Sequence, residues 1–79
     1  MAPNMIDTEM QIRKTISETL NVHINDVKDD LAVGDLPEWD SLGHVRIIMA
    51  LEAHFSCELE AAELLQLDTV SDLVKAFSR

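Results

Sequence analysis

Seventy-nine residues give room for one domain, and folding at that size removes only roughly 60–65% of the extended chain's surface from water, so a deep enclosed active site is hard to build. Fifteen acidic side chains against six basic ones leave a formal charge of −9. That charge argues against a nucleic-acid partner, since phosphate binding needs Lys and Arg to displace counterions, and it favours encounter with basic protein surfaces.

The first helix is expected to open at Thr8, whose hydroxyl can cap it with Gln11 as the capping-box partner. Ile12, Ile16 and Leu20 then recur at four-residue spacing and mark one buried stripe. Asn21 is the expected stop, and residues 1–6 are expected to be flexible. From about Val22 to Asp40 the periodicity fails. Gly34, Pro37 and the acids Asp26, Asp29, Asp30, Asp35, Glu38 and Asp40 read as a long loop, with Val22, Ile24, Val27, Leu31 and Leu36 as its anchors to the core. A loop of that length in so small a domain is often functional. Trp39 either covers the core from it, the favoured expectation, or takes part in partner recognition.

The second helix is expected over about Ser41 to Phe55, with Asp40 or Ser41 as its N-cap. A short third helix fits Ala61 to Leu65. A fourth starts after Asp68 or Thr69 and buries Val70, Leu73, Val74 and Phe77. No strand-like alternation occurs, so the expected fold is all-α: a small four-helix bundle, three main helices and one short one, with a long loop between helices 1 and 2, in a single domain spanning 1–79.

The second helix has more apolar surface than a helix packed on one side needs. At about 100° per residue, Ile47, Ile48, Leu51 and Phe55 share one face, and Ile48, Leu51 and Phe55 are expected to be buried against Ile12, Ile16 and Leu73 or Phe77. Leu42, Val45 and Met49 form a second stripe, which either widens the core face or lies exposed for a partner. A flexible Met in an exposed patch suits a surface that meets several partners.

Other chemistries fit poorly. His44 and His54 lie ten positions apart on one helix, about 15 Å along its axis, and no Cys or His pair has zinc spacing; all three histidines are expected at the surface. The acidic loop lacks the ligand pattern and central Gly of a calcium-binding EF-hand. No Gly-x-Ser-x-Gly elbow surrounds Ser41. Cys57 is the lone cysteine and has no basic neighbour in sequence to activate it. No secretory pattern opens the chain and no apolar run approaches the roughly 20 residues that span a bilayer, so a soluble cytoplasmic protein is expected.

Asp40-Ser41-Leu42, followed by Val45, Met49-Ala50-Leu51-Glu52 and Phe55, resembles the acyl carrier protein family. The likeness extends upstream to Ile12, Ile16, Leu20 and the acidic loop, and downstream to Leu59, Leu67-Asp68-Thr69-Val70 and Asp72-Leu73. It implies a carrier that is no enzyme itself. It also implies that Ser41 receives 4′-phosphopantetheine from coenzyme A through a phosphopantetheinyl transferase, with Asp40 supporting the reaction. A helix N-terminus suits the resulting phosphodiester, because free N–H groups and the positive dipole end meet the anion there. Leu42, Val45, Arg46, Met49 and Glu52 become the expected surface for acyl-loading and acyl-processing enzymes of one polyketide-like or fatty-acid-like pathway, the chain acting as a monomer. Pro37-Glu38-Trp39 replaces the Leu-Gly-Ala of general fatty-acid carriers, and the second helix is poor in acids apart from Glu52, which points to a specialised pathway. An aminoacyl carrier or an unmodified helical interaction domain are the alternatives.

Overall fold

The computed structural model describes residues 5–78. Four α-helices occur among them: α1 (Met5–Leu20), α2 (Ser41–Phe55), α3 (Ala61–Leu64) and α4 (Val70–Phe77), with a single 3-10 turn at Ile24–Asp26. The chain is the expected small helical bundle with a long α1–α2 loop. Of the six residues expected to be flexible, 1–4 lie outside the described residues, and Met5 and Ile6 form the start of α1.

The start of α1 differs from expectation. Thr8 lies inside the helix and is buried. Gln11 is no capping partner, and its Oε1 pairs with His54 Nε2 across to α2 at 2.9 Å. Helix α1 begins at Met5, so Thr8 is its fourth residue and cannot be the N-cap. The end of α1 is as expected. Asn21 adopts a left-handed conformation (φ 57°), and the Val22 N–H returns to the Ser17 carbonyl at 3.0 Å, closing the helix in a Schellman motif. The same device ends α2, where Ser56 has φ 51° and the Cys57 N–H bonds the Glu52 carbonyl at 3.0 Å.

The core is built from Ile12, Ile16 and Leu20 of α1, Ile47, Ile48 and Leu51 of α2, Val70, Leu73, Val74 and Phe77 of α4, and Val27, Trp39 and Leu59 from the connections. Phe55 is only half-buried, its ring stacked on Phe77 with centroids 5.8 Å apart. Val22, Leu31 and Leu36 pack against the core from the loop as expected, and Val33 joins them. Ile24 does not share that packing. It is half-buried on the 3-10 turn, in a surface groove with Met10 and Arg13.

Backbone bonds tie the loop to the start of α4. An isolated antiparallel bridge joins Ala32 to Thr69, with Val70 N–H on the Leu31 carbonyl (2.9 Å) and Val33 N–H on the Asp68 carbonyl (3.0 Å). Thr69 caps α4 in a full capping box with Asp72, whose carboxyl is held below its ordinary range chiefly by the Thr69 N–H. On the other side Arg13 binds the Val27 carbonyl at 3.2 Å and the carboxylates of Glu9 and Asp29. These bonds tie the loop to α1 on one side and to the start of α4 on the other before it reaches α2.

Candidate functional site

The loop closes on itself just before α2. Gly34, with φ 93°, turns the chain so that its N–H reaches the Trp39 carbonyl at 2.7 Å, and the Trp39 N–H bonds the Leu36 carbonyl at 3.0 Å. Trp39 is 0% exposed, as its expected covering role requires. Its indole N–H donates to His44 Nδ1 at 3.0 Å.

Of the two candidates, Asp40 is the N-cap. Its backbone is extended and its carboxylate accepts the Gly43 N–H at 2.7 Å, while its carbonyl accepts the His44 N–H at 2.9 Å. Ser41 is therefore the first helical residue and is exposed. The Ser41 and Leu42 N–H groups precede any helical carbonyl that could reach them, so the positive end of α2 is open beside the Ser41 hydroxyl. An exposed primary hydroxyl against free N–H groups is a donor set that fits a phosphodiester.

Gly43 carries a role that sequence reading missed. It is buried one turn into α2, and a Cβ there would collide with the Glu38 carbonyl oxygen. The loop can lie against the helix only where the side chain is absent.

The second stripe of α2 is exposed and does not widen the core. Leu42 is 68% exposed, Val45 52% and Met49 62%, and Arg46 is exposed among them. Glu52 is half-buried and turned inward, its Oε2 accepting the Leu59 N–H at 2.9 Å. Leu65, next to α3, is more exposed than any of the stripe at 87%; sequence patterning gave it no face because α3 is a single turn. His23 and His54 are at the surface as expected, but His44 is half-buried. Burial lowers its pKa from the ordinary 6.5, against the opposite pull of the Asp68 carboxylate and the Leu67 carbonyl. The surface expectation fails at His44 because the irregular loop brings the buried Trp39 indole onto its ring.

Among the described residues no helix is long and apolar enough to cross a membrane. Compared with known protein families, residues 10–77 match the one described as "phosphopantetheine attachment site". The chain belongs to that family. A phosphopantetheine carrier of this kind bears 4′-phosphopantetheine as its prosthetic group, receives it from a phosphopantetheinyl transferase, and meets the other enzymes of its pathway as a carrier. Bound in this way, the group would supply a terminal thiol.

Proposed function

We propose that this carrier is an acyl carrier protein in which the Ser41 hydroxyl is the attachment point and the protein catalyses nothing itself. The observation that carries the proposal is the division of labour at the start of α2: Asp40 caps the helix, which leaves Ser41 exposed and without a capping duty. A serine that merely capped would turn its oxygen back on the helix. Asp40 supports the modification by holding the first turn, and the open N–H groups beside Ser41 favour the anion the reaction creates.

Partner enzymes of one small-molecule pathway, polyketide-like or fatty-acid-like, dock on Leu42, Val45 and Met49. This stripe begins one residue from Ser41, so a partner that grips it has the arm aimed at its own active site. Arg46 selects among partners, and Glu52 contributes through whatever part of its carboxylate Leu59 leaves free. The carrier works as a soluble cytoplasmic monomer of a specialised pathway, in keeping with Pro37-Glu38-Trp39 ahead of the serine.

Incubation with coenzyme A and a broad-specificity phosphopantetheinyl transferase, read by intact mass, should add one phosphopantetheinyl group to the protein and none to Ser41→Ala. Modification of Ser41→Ala defeats the assignment, and an unmodified wild-type chain makes it a simple interaction domain. Subsequent loading with acyl or aminoacyl donors decides the cargo class, acyl being the expected one.

A further inference from the structure

A fully buried indole N–H needs an acceptor inside the protein, and Trp39 finds His44 Nδ1 at 3.0 Å. An Nδ1 that accepts carries no proton, so the neutral ring has its hydrogen on Nε2. The two rings lie nearly parallel, 21° between planes and 6.0 Å between centroids. This pair brackets the proposed attachment point, with Trp39 two residues before Ser41 and His44 three after it. Three elements meet at the imidazole. The α1–α2 loop contributes the uncharged indole. The α3–α4 connection contributes the Leu67 carbonyl and the Asp68 carboxylate. At the N-cap of α2 the Asp40 carboxylate is directed at the Gly43 N–H.

We propose that His44 is a positioning residue for the modification of Ser41, its neutral ring latching Trp39 beneath the first turn of α2 so that the loop presents Asp40 and Ser41 in one fixed geometry to the transferase. The proposal rests on Ser41 being the attachment point. A proton on Nδ1 would replace the acceptor with a second donor facing the indole N–H, and the latch would open. The latched ring binds a proton less readily than a free imidazole, whose ordinary value is 6.5. The latch is therefore fully held above that pH and is lost as the pH falls through the lowered value of the folded ring. Asp68 limits how far the ring's affinity for the proton can fall.

Trp39 is the only tryptophan, so its emission reports the latch directly. Wild type, His44→Gln and His44→Leu should be taken from pH 8 to pH 4.5, following Trp39 emission and the kcat/KM of modification by transferase and coenzyme A. Gln offers an amide oxygen to the indole N–H and does not titrate; Leu fills the space and offers no acceptor. Dividing each rate by that of His44→Gln at the same pH removes the transferase's own titration. The wild-type emission should titrate with a midpoint below 6.5, and its relative rate should fall over the same range. His44→Gln emission should stay flat through it. At pH 7.5 His44→Gln should be modified at close to the wild-type rate, and His44→Leu about three- to tenfold more slowly, the scale of one lost hydrogen bond. A wild-type to His44→Gln rate ratio that stays constant with pH, or a His44→Gln emission that titrates like the wild type, overturns the proposal. Those two chains decide it even where His44→Leu fails to fold. A wild-type chain that gains no mass at any pH refutes the Ser41 assignment and the positioning role with it, whereas a mass gain with a constant ratio refutes the positioning role alone.

Discussion

The Asp40 carboxylate accepts the Gly43 N–H at 2.7 Å, and that one bond sorts two adjacent polar residues into different duties. Asp40 is spent on the helix, while Ser41 is left to solvent. Removing the cap should therefore weaken the fold without touching the hydroxyl. Asp40→Ala is expected to lose about 0.5–2 kcal/mol in urea melts, and Asp40→Ser, which can cap in the same way, should recover most of it. Slower modification of Asp40→Ser despite recovered stability would show that the carboxylate also serves the transferase.

Gly43 permits the approach that makes this cap possible. Its Cβ position is occupied by the Glu38 carbonyl oxygen, with the Asp40 carboxylate and Leu20 close behind at 3.3 Å each. A backbone oxygen cannot swing aside as a flexible side chain can, so Gly43→Ala must push the loop off the helix. The expected loss is about 1–3 kcal/mol, although alanine is the better helix former. Unchanged stability in Gly43→Ala would mean that loop and helix separate at little cost.

Much of this was legible in the sequence because it rests on periodicity and caps. The four-residue spacing of Ile12, Ile16 and Leu20 located α1's buried face, and the N-cap at Asp40 or Ser41 with the apolar face reaching Phe55 located α2 at the bounds observed. The two apolar stripes of α2 were separable by angle alone. Which stripe lies exposed was not, since that depends on where α1 and α4 dock, and a helical wheel holds no information on its neighbours. The Trp39–His44 bond and the Gly43 contact were hidden for a related reason. Both join the loop to the helix through the path of an irregular backbone, and irregular segments have no period to read. Thr8 misled because a hydroxyl suits a cap wherever it falls, while the stretch before it is free to continue the helix.

The left-handed turn that ends α2 offers a gain in stability. Ser56 has φ 51°, a region that costs a residue with a Cβ about 1–2 kcal/mol. Glycine removes that cost but enters with greater freedom in the unfolded chain. Ser56→Gly should thus be more stable by about 0.5 kcal/mol, seen as a higher denaturation midpoint at unchanged slope. A lower midpoint would show that the Ser56 side chain holds the turn in a way its backbone does not reveal.

Two residues of α2 separate folding from docking. Leu51 is fully buried, whereas Met49 is 62% exposed. Leu51→Ala should cost about 2–5 kcal/mol, a large share of the stability of so small a domain. Met49→Ala should change stability by no more than about 0.5 kcal/mol and yet slow reactions with the pathway's enzymes once the arm is loaded. An early-melting Met49→Ala, or one that partners use as well as wild type, would move Met49 out of the docking surface.

Arg46 tests whether the exposed stripe also discriminates. On a helix its neighbours are the residues three and four positions away, so Arg46 stands beside Leu42 and Met49 and is itself exposed. The whole carrier, at −9, attracts basic partner surfaces over distance. A lysine- or arginine-rich docking face drawn in by that charge nevertheless meets a like charge at the point of contact, and such repulsion separates partners more sharply than added attraction does. Arg46→Glu should accordingly raise kcat/KM with an enzyme whose carrier-docking face is basic and lower it with the cognate enzyme. Both effects should shrink as salt rises from 0.05 to about 0.5 M, where screening confines exposed charges to a few ångströms. Stability should stay within about 0.5 kcal/mol of wild type, as for other surface substitutions. If Arg46→Glu matches wild type with every partner at low salt, Arg46 is a solvated side chain and the choice of partner lies in Leu42, Val45 and Met49 alone.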